Sequence, residues 1–205
     1  SIEPEKEYLF AYAQDITRLK QMEYKNKELF LQSRRDPVTG LCNRVATEQD
    51  IDEYLHSSQR GEEGLLLILD VDFFKSFNDN YGHAVGDEVL AFMAEAMRTA
   101  FRKEDILCRW GGDEFLIFIS SEEALEKRIN DIFKELLDQY EGFQISISMG
   151  VALWPRHALT YEALFHCADQ ALYASKRSGK NKYSFYDETM QNMLSILSPI
   201  ESDPS

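Results

Sequence analysis

The residues best suited to do chemistry are acidic and come in two groups. Asp70 and Asp72 end the apolar run Leu65-Leu66-Leu67-Ile68-Leu69, and Asp113 and Glu114 follow the glycine pair Gly111-Gly112. The run reads as a strand buried on both faces, because it is continuous rather than alternating. The second group belongs at a hairpin tip, since short apolar segments, Ile106 to Trp110 and Phe115 to Ile119, flank the glycines. If these strands are neighbours, the carboxylates meet. Carboxylates at close range repel one another unless a cation sits between them, and all-oxygen ligation favours Mg²⁺ or Mn²⁺ over zinc. The plain alternative is that strand-end aspartates cap loops and Gly-Gly only makes a turn; spacing alone weighs the two about equally.

Composition narrows the class. The 205 residues carry 36 acidic and 22 basic side chains, a formal charge of −14, with 44% hydrophobic and 12% aromatic residues. That apolar content can bury a core, which excludes a wholly disordered or collagen-like chain. The acidic balance argues against a broad basic face for nucleic acid, because such binding neutralises many phosphates. A small phosphorylated ligand is compatible with it, and Lys176, Arg177, Lys180 and Lys182 form one basic cluster. Apolar runs such as Leu65–Leu69 are far shorter than the roughly 20 residues of a membrane span, so a soluble chain is expected. Three widely spaced cysteines, Cys42, Cys108 and Cys167, suggest neither a disulfide framework nor a zinc site, and a cytoplasmic, reducing compartment fits best. The chain begins at Ser1 and reads as a fragment of something longer.

The elements that must position the acids follow from periodicity and breakers. Ile16, Leu19 and Met22 keep a helical spacing that Asn26, Leu29 and Phe30 continue less cleanly, so residues 16–35 read as a helical connector. It is either a solvated helix or a parallel two-stranded coiled coil with Asn26 setting register, and the dimerising form is slightly favoured. Asp36-Pro37 ends it, and Thr39-Gly40 opens a compact domain over residues 36–190. There, helices are expected over about residues 43–55, 87–101 and 160–176, and after Ser120, where Ser120 and Glu123 form a capping-box pattern ahead of Leu125, Ile129, Ile132, Phe133 and Leu136. Further strands are expected over about 143–153 and 183–186. The interleaving predicts an α/β fold, a mixed central sheet with helices packed around it and a β-hairpin carrying the glycine pair. Residues 191–205 read as a loose tail.

Taken together, the motifs are more specific than any one alone. Arg109-Trp110-Gly111-Gly112-Asp113-Glu114-Phe115 resembles the signature of the GGDEF family of diguanylate cyclases. The resemblance extends over Asp36-Pro37-Val38-Thr39-Gly40-Leu41-Cys42-Asn43-Arg44, Asp70 to Asp79, Tyr81-Gly82-His83 with Gly86-Asp87, and Ala171-Leu172-Tyr173 through Lys180-Asn181. It covers residues 36 to about 187 and implies a fold of the nucleotide-cyclase or polymerase-palm type. Ala13-Gln14-Asp15-Ile16-Thr17 also looks like the exit from a PAS sensor domain, which makes residues 1–15 a remnant of an upstream sensor.

The resemblance implies that two GTP molecules, one on each half of a homodimer, condense to cyclic di-GMP with release of pyrophosphate. Asp70, the backbone carbonyl of Val71, Asp113 and Glu114 would hold two Mg²⁺ or Mn²⁺ ions, which bridge the triphosphate and stabilise charge on the leaving group. Asp113 is the candidate general base, sharing that role with Glu114. Gly111 and Gly112 would permit close approach of substrate. Phe73 and Phe74 would offer backbone N–H groups to the phosphates with their rings in the core, while Lys75, Lys176 and Lys180 neutralise phosphate charge. Asn78 and Asp87 resemble a guanine-reading pair, an amide and a carboxylate matching guanine's acceptor and donors. Their plain alternatives are a loop hydrogen bond and a helix cap. Asp72 and His83 read as structural. Arg102-Lys103-Glu104-Asp105 fits an RxxD pattern at which the family's product binds and inhibits, and Arg102 and Asp105 are its candidate residues, against a surface ion pair as the plain alternative. The rival readings of the whole are a catalytically silent module binding GTP or cyclic di-GMP, and a cyclase forming a cyclic mononucleotide.

Overall fold

In the computed structural model the chain divides into two compact units, residues 1–35 and 36–205. The described residues are 33–59, 62–120, 129, 132–134, 136, 139–140 and 143–190, with Arg18, Lys20, Gln21, Met22, Lys25, Leu29 and Phe30. In the first unit those seven residues and Ser33 are helical, and Met22, Leu29 and Phe30 are exposed. Ile16, Leu19 and Asn26, the remnant proposed over residues 1–15 and the tail over 191–205 lie outside the described residues.

The second unit is an α/β domain. Its elements run α1 (Arg44–Ser57), β1 (Gly64–Val71), α2 (Phe74–Tyr81), α3 (His83–Ala100), β2 (Ile106–Gly111), β3 (Glu114–Ser120), β4 (Gln139–Tyr140), β5 (Phe143–Gln144), β6 (Ile147–Trp154), α4 (Tyr161–Arg177) and β7 (Lys182–Phe185). Five strands make the main sheet in the order β2-β3-β1-β6-β7, with β4 and β5 forming a separate pair. All neighbours are antiparallel except β6 and β7. The sheet is therefore mixed, as expected, and β1 lies at its centre.

Every residue of β1 from Leu65 to Val71 is buried, and its pleat divides them between two cores. Leu65, Leu67, Leu69 and Val71 join Val89, Leu90, Met93 and Met97 of α3 on one face. Leu66 and Ile68 join Ile51 of α1 and Leu164, Ala168 and Leu172 of α4 on the other. Each fully buried leucine contributes about 1.5–3 kcal/mol, so the strand that carries Asp70 is fixed from both sides. Ile129, Ile132, Phe133 and Leu136 are helical and buried against the first face, while Glu123 and Leu125 lie outside the described residues. Two helices are capped by side chains: Asn43 Oδ1 accepts from Ala46 N at 3.0 Å ahead of α1, and Thr160 Oγ1 from Ala163 N at 3.4 Å ahead of α4.

Three elements differ from expectation. Helix α2 has no counterpart among the elements read from the sequence. Helix α3 begins at His83, four residues before the expected start, behind Gly82, which has no side chain to announce a cap. The strand expected over 143–153 is broken at Ile145-Ser146, where the Ser146 carbonyl accepts from Asp72 N at 2.8 Å and Ser146 Oγ donates to Asp72 Oδ2 at 2.6 Å. Among the described residues no helix is long and apolar enough to cross a membrane.

Candidate functional site

The β1–β3 register makes Asp70 and Glu114 direct cross-strand partners, and Val71 N donates to the Asp113 carbonyl at 3.2 Å. The two acidic groups thus meet where β1 ends beside the β2–β3 turn. Asp70 is 8% exposed, and its Oδ2 accepts from Lys176 Nζ, at the end of α4, at 2.7 Å. Burial pushes Asp70 and Glu114 above the ordinary carboxylate range; Lys176 works against this, and the charges of neighbouring acids, Asp113 for both, add to the rise. Three carboxylates and one ammonium therefore share a small, partly desolvated volume.

Gly111 and Gly112 are exposed and face open space: a Cβ at either would meet nothing within 4 Å. Gly112 also has φ +59°, a left-handed value that glycine adopts without cost. Among the described residues no group of three or more His, Cys, Asp or Glu side chains closes into a ready metal cage. The donors Asp70, Glu114, Asp113 and the Val71 carbonyl instead suit an ion that takes one or two carboxylates and fills the rest of its shell with phosphate and water, as Mg²⁺ does.

Asp72 is 7% exposed; its charge adds to the rise at Asp70, but its own oxygens are turned to other partners. Its carboxylate accepts from Ser146 Oγ at 2.6 Å, Ser148 Oγ at 2.8 Å and Asn181 N at 3.0 Å, so it ties β1 to β6 and to the loop before β7. Next to it, one expectation fails. Phe74 is buried, but the Phe73 ring is 64% exposed rather than in the core. Phe73 caps α2 with φ +63°, which turns its side chain away from the inward-facing Phe74. The ammonium of Lys180 lies 3.8 Å from its ring centroid. Lys75 is exposed on the first turn of α2.

Asn78 on α2 faces Gly86 on α3: a Cβ at residue 86 would collide with Asn78 Oδ1. That oxygen is buried and accepts no hydrogen bond among the described residues. Asp87, beside Gly86, is exposed within α3 and is not a helix cap, since the helix starts at His83. Asn78 and Asp87 thus stand on two helices that touch at Gly86. A cavity of about 270 Å³ opens instead on the face of α2 that carries Ser76, Phe77, Asn80 and Tyr81. Away from the acids, Arg102 and Asp105 close the turn between α3 and β2, where the buried Asp105 carboxylate accepts from Arg102 N at 2.8 Å.

One pair in the site carries no assigned role in the sequence reading, although both members lie in the matching motifs. Arg109 donates from Nε and Nη2 to the Gly112 carbonyl at 3.0 and 2.8 Å, and its Nη1 lies 3.3 Å from both carboxylate oxygens of Asp36. Asp36 also accepts from Thr39 Oγ1 and N at 2.7 and 2.8 Å. Burial alone would raise its carboxyl, but the Thr39 hydrogen bonds and the Arg109 charge outweigh that and hold it below the ordinary range. The signal available in the sequence is their place in the matching motifs, Asp36 opening the first and Arg109 the one that carries the glycine pair.

The family model for the diguanylate cyclase GGDEF domain matches residues 33–182. The chain is 37% identical over 164 residues to the diguanylate cyclase TpbB of Pseudomonas aeruginosa, a match covering 76% of this chain and 38% of TpbB. It is 31% identical over 193 residues to the cyclic di-GMP phosphodiesterase PdeR of Escherichia coli, covering 91% of this chain and 29% of PdeR. A solved structure of the GGDEF domain of the Pseudomonas aeruginosa protein TpbB (YfiN) superposes with a TM-score of 0.73 at 30% identity, covering 78% of this chain and 99% of that one. The chain spans between 23% and 48% of the length of the curated relatives it matches.

Proposed function

The chain belongs to the GGDEF domain family, and on that premise we propose that it is a diguanylate cyclase, joining two GTP molecules into cyclic di-GMP with loss of two pyrophosphates. The observation that carries the reading is the pairing of Asp70 with Glu114 beside the open Gly111-Gly112 turn. Degenerate members of the family usually lose the acids of the signature, and here both Asp113 and Glu114 are present.

Each residue then has work that its position allows. Asn78 and Asp87 hold guanine, from the two helices that meet at Gly86. The backbone N–H groups of Phe73 and Phe74 face the phosphates, and Lys75, Lys176 and Lys180 neutralise them. Lys176, now on Asp70 at 2.7 Å, exchanges that carboxylate for phosphate. Asp70, the Val71 carbonyl, Asp113 and Glu114 are the groups that would hold two Mg²⁺ or Mn²⁺ ions. When bound, these supply positive charge against the leaving pyrophosphate and lower the cost of ionising the attacking hydroxyl. Asp113, with Glu114, takes the proton of the 3′-hydroxyl that attacks the α-phosphate of the other GTP.

One domain holds one GTP, so the reaction requires a homodimer, for which the helical connector over residues 16–35 is the candidate device, driven by an upstream sensor. Cyclic di-GMP at Arg102 and Asp105 would inhibit by holding two domains apart. The second reading, a silent binding module, is favoured by the match to a protein named as a phosphodiesterase. Incubation with GTP and Mg²⁺ followed by mass analysis separates the readings: cyclic di-GMP supports a diguanylate cyclase, cyclic GMP a mononucleotide cyclase, and unchanged GTP a silent module.

A further inference from the structure

Two of the lysines at the site, Lys176 and Lys180, are held by different means. Lys176 donates to the Asp70 carboxylate at 2.7 Å, whereas Lys180 rests on the Phe73 ring, with Nζ 3.8 Å from the centroid. The backbone beneath Lys180 is anchored on both sides. Its own N–H donates to the Ser175 carbonyl at 3.1 Å, and the next N–H, from Asn181, donates to Asp72 Oδ2 at 3.0 Å. Lys180 and Asn181 both take left-handed φ, +61° and +48°. Asp72, which receives the loop, is the residue immediately before Phe73. The loop and the ring are therefore brought together by one buried carboxylate, and only the flexible side chain of Lys180 is left to be positioned.

The ring is an unusual means of doing so. A phenylalanine that is 64% exposed gains little from burial, and a bulky side chain at φ +63° is disfavoured on the backbone. What the exposed face offers is attraction for a cation without an acceptor atom. An ammonium held by a carboxylate must break a charge-assisted hydrogen bond before it serves a phosphate. One held by an aromatic face gives up only a weak N–H contact to the ring and keeps the donors on its far side available, and its side-chain entropy is partly lost in advance.

We propose that the Phe73 ring is a positioning element that seats the Lys180 ammonium ready for the terminal phosphates of GTP. The inference rests on the proposed GTP site and adds to it a role for the ring, as distinct from the backbone, of Phe73. Lys180 is the pre-placed cation and Lys176 the one that must change partner.

The test is a double-mutant cycle on the binding of 3′-deoxy-GTP with Mg²⁺, a nucleotide that lacks the attacking hydroxyl and so reports binding without turnover. Phe73→Leu should weaken binding by about 2- to 5-fold, the span expected for one exposed cation–π contact. Phe73→Tyr, which keeps the ring, should restore wild-type affinity. In a Lys180→Met background Phe73→Leu should have no further effect, because the ring would have nothing to seat. In the wild type, the ε-methylene protons of Lys180 should be shifted upfield by the ring current, and Phe73→Leu should abolish that shift. Equal loss from Phe73→Leu with and without Lys180 would overturn the inference while leaving the GTP site standing. A wild-type chain that binds no guanine nucleotide would overturn both.

Discussion

Arg109 joins Asp36 to the carbonyl of Gly112, with Nη1 3.3 Å from the Asp36 carboxylate and Nη2 2.8 Å from the glycine oxygen. The turn that opens the second unit and the turn that carries its acids thus share one guanidinium. Both side chains are largely buried, at 13% and 16% exposure. A planar fork can serve two acceptors in fixed directions, and a lysine cannot.

Arg109→Lys should therefore cost about 1–3 kcal/mol of stability and lower turnover, since it leaves a partly buried carboxylate and carbonyl poorly paired. Asp36→Asn, which keeps the Thr39 contacts while removing the charge, should cost less than Asp36→Ala. Thermal unfolding and initial rates measure both; an Arg109→Lys protein with wild-type stability and rate would show that the clamp is incidental.

Glu114→Gln tests the acidic cluster from two sides. Its carboxyl is raised by burial and by neighbouring acids, so the folded state binds its proton more tightly than the unfolded chain. Stability then falls as pH rises above the ordinary glutamate range, and removing the charge should raise the thermal midpoint at neutral pH. The same change should lower turnover by about 10²-fold or more, because charge stabilisation in the transition state is lost. A less stable Glu114→Gln protein, or one that keeps full activity, contradicts this.

In the proposed site, base selection falls to Asn78 on α2 and Asp87 on α3. Gly86→Ala drives a Cβ into Asn78 Oδ1. It should weaken GTP binding and reduce preference for GTP over ATP, as should Asp87→Ala, each by about 10-fold, since an unpaired guanine group in the site costs about 1–3 kcal/mol. Competition between GTP and ATP measures it, and unchanged preference in both variants would remove Asn78 and Asp87 from the guanine site.

His157 supplies a pH effect remote from the chemistry. Its Nδ1 accepts from Leu153 N at 3.1 Å, and burial and the Arg156 charge lower its affinity for a proton. The neutral ring is the one that fits, so its contribution to stability is complete above the ordinary histidine range and is lost as pH falls below it. His157→Asn, which retains an acceptor that does not titrate, should flatten the fall of the thermal midpoint between about pH 7 and pH 5. The same slope in both proteins would show that other groups carry it.

The parts legible in the sequence were those written in apolar pattern. The run from Leu65 to Leu69 announces a strand buried on both faces, and the glycine pair between two apolar segments announces the hairpin; that Asp70 and Glu114 meet needs in addition the pairing of β1 with β3, which no local signal carries. The break at Ile145-Ser146 is not announced either, because it depends on Asp72, 74 residues away in the chain, as a partner for Ser146. The outward Phe73 ring was hidden for a related reason: a left-handed phenylalanine contradicts local preference and is held by its surroundings. Helix α3 starts behind Gly82 with no capping side chain to mark it. Family resemblance supplied the roles of Asn78 and Asp87, which periodicity could not.

Two GTP molecules are proposed to become one cyclic dinucleotide at a site built on Asp70, Asp113 and Glu114. The most direct measurement is the ratio of pyrophosphate released to cyclic product formed when the chain is incubated with GTP and Mg²⁺, with the product identified by mass. Two pyrophosphates for each cyclic di-GMP, at a rate per protein that rises with protein concentration, is the predicted result. One pyrophosphate for each cyclic GMP, or no pyrophosphate at any concentration, would contradict it.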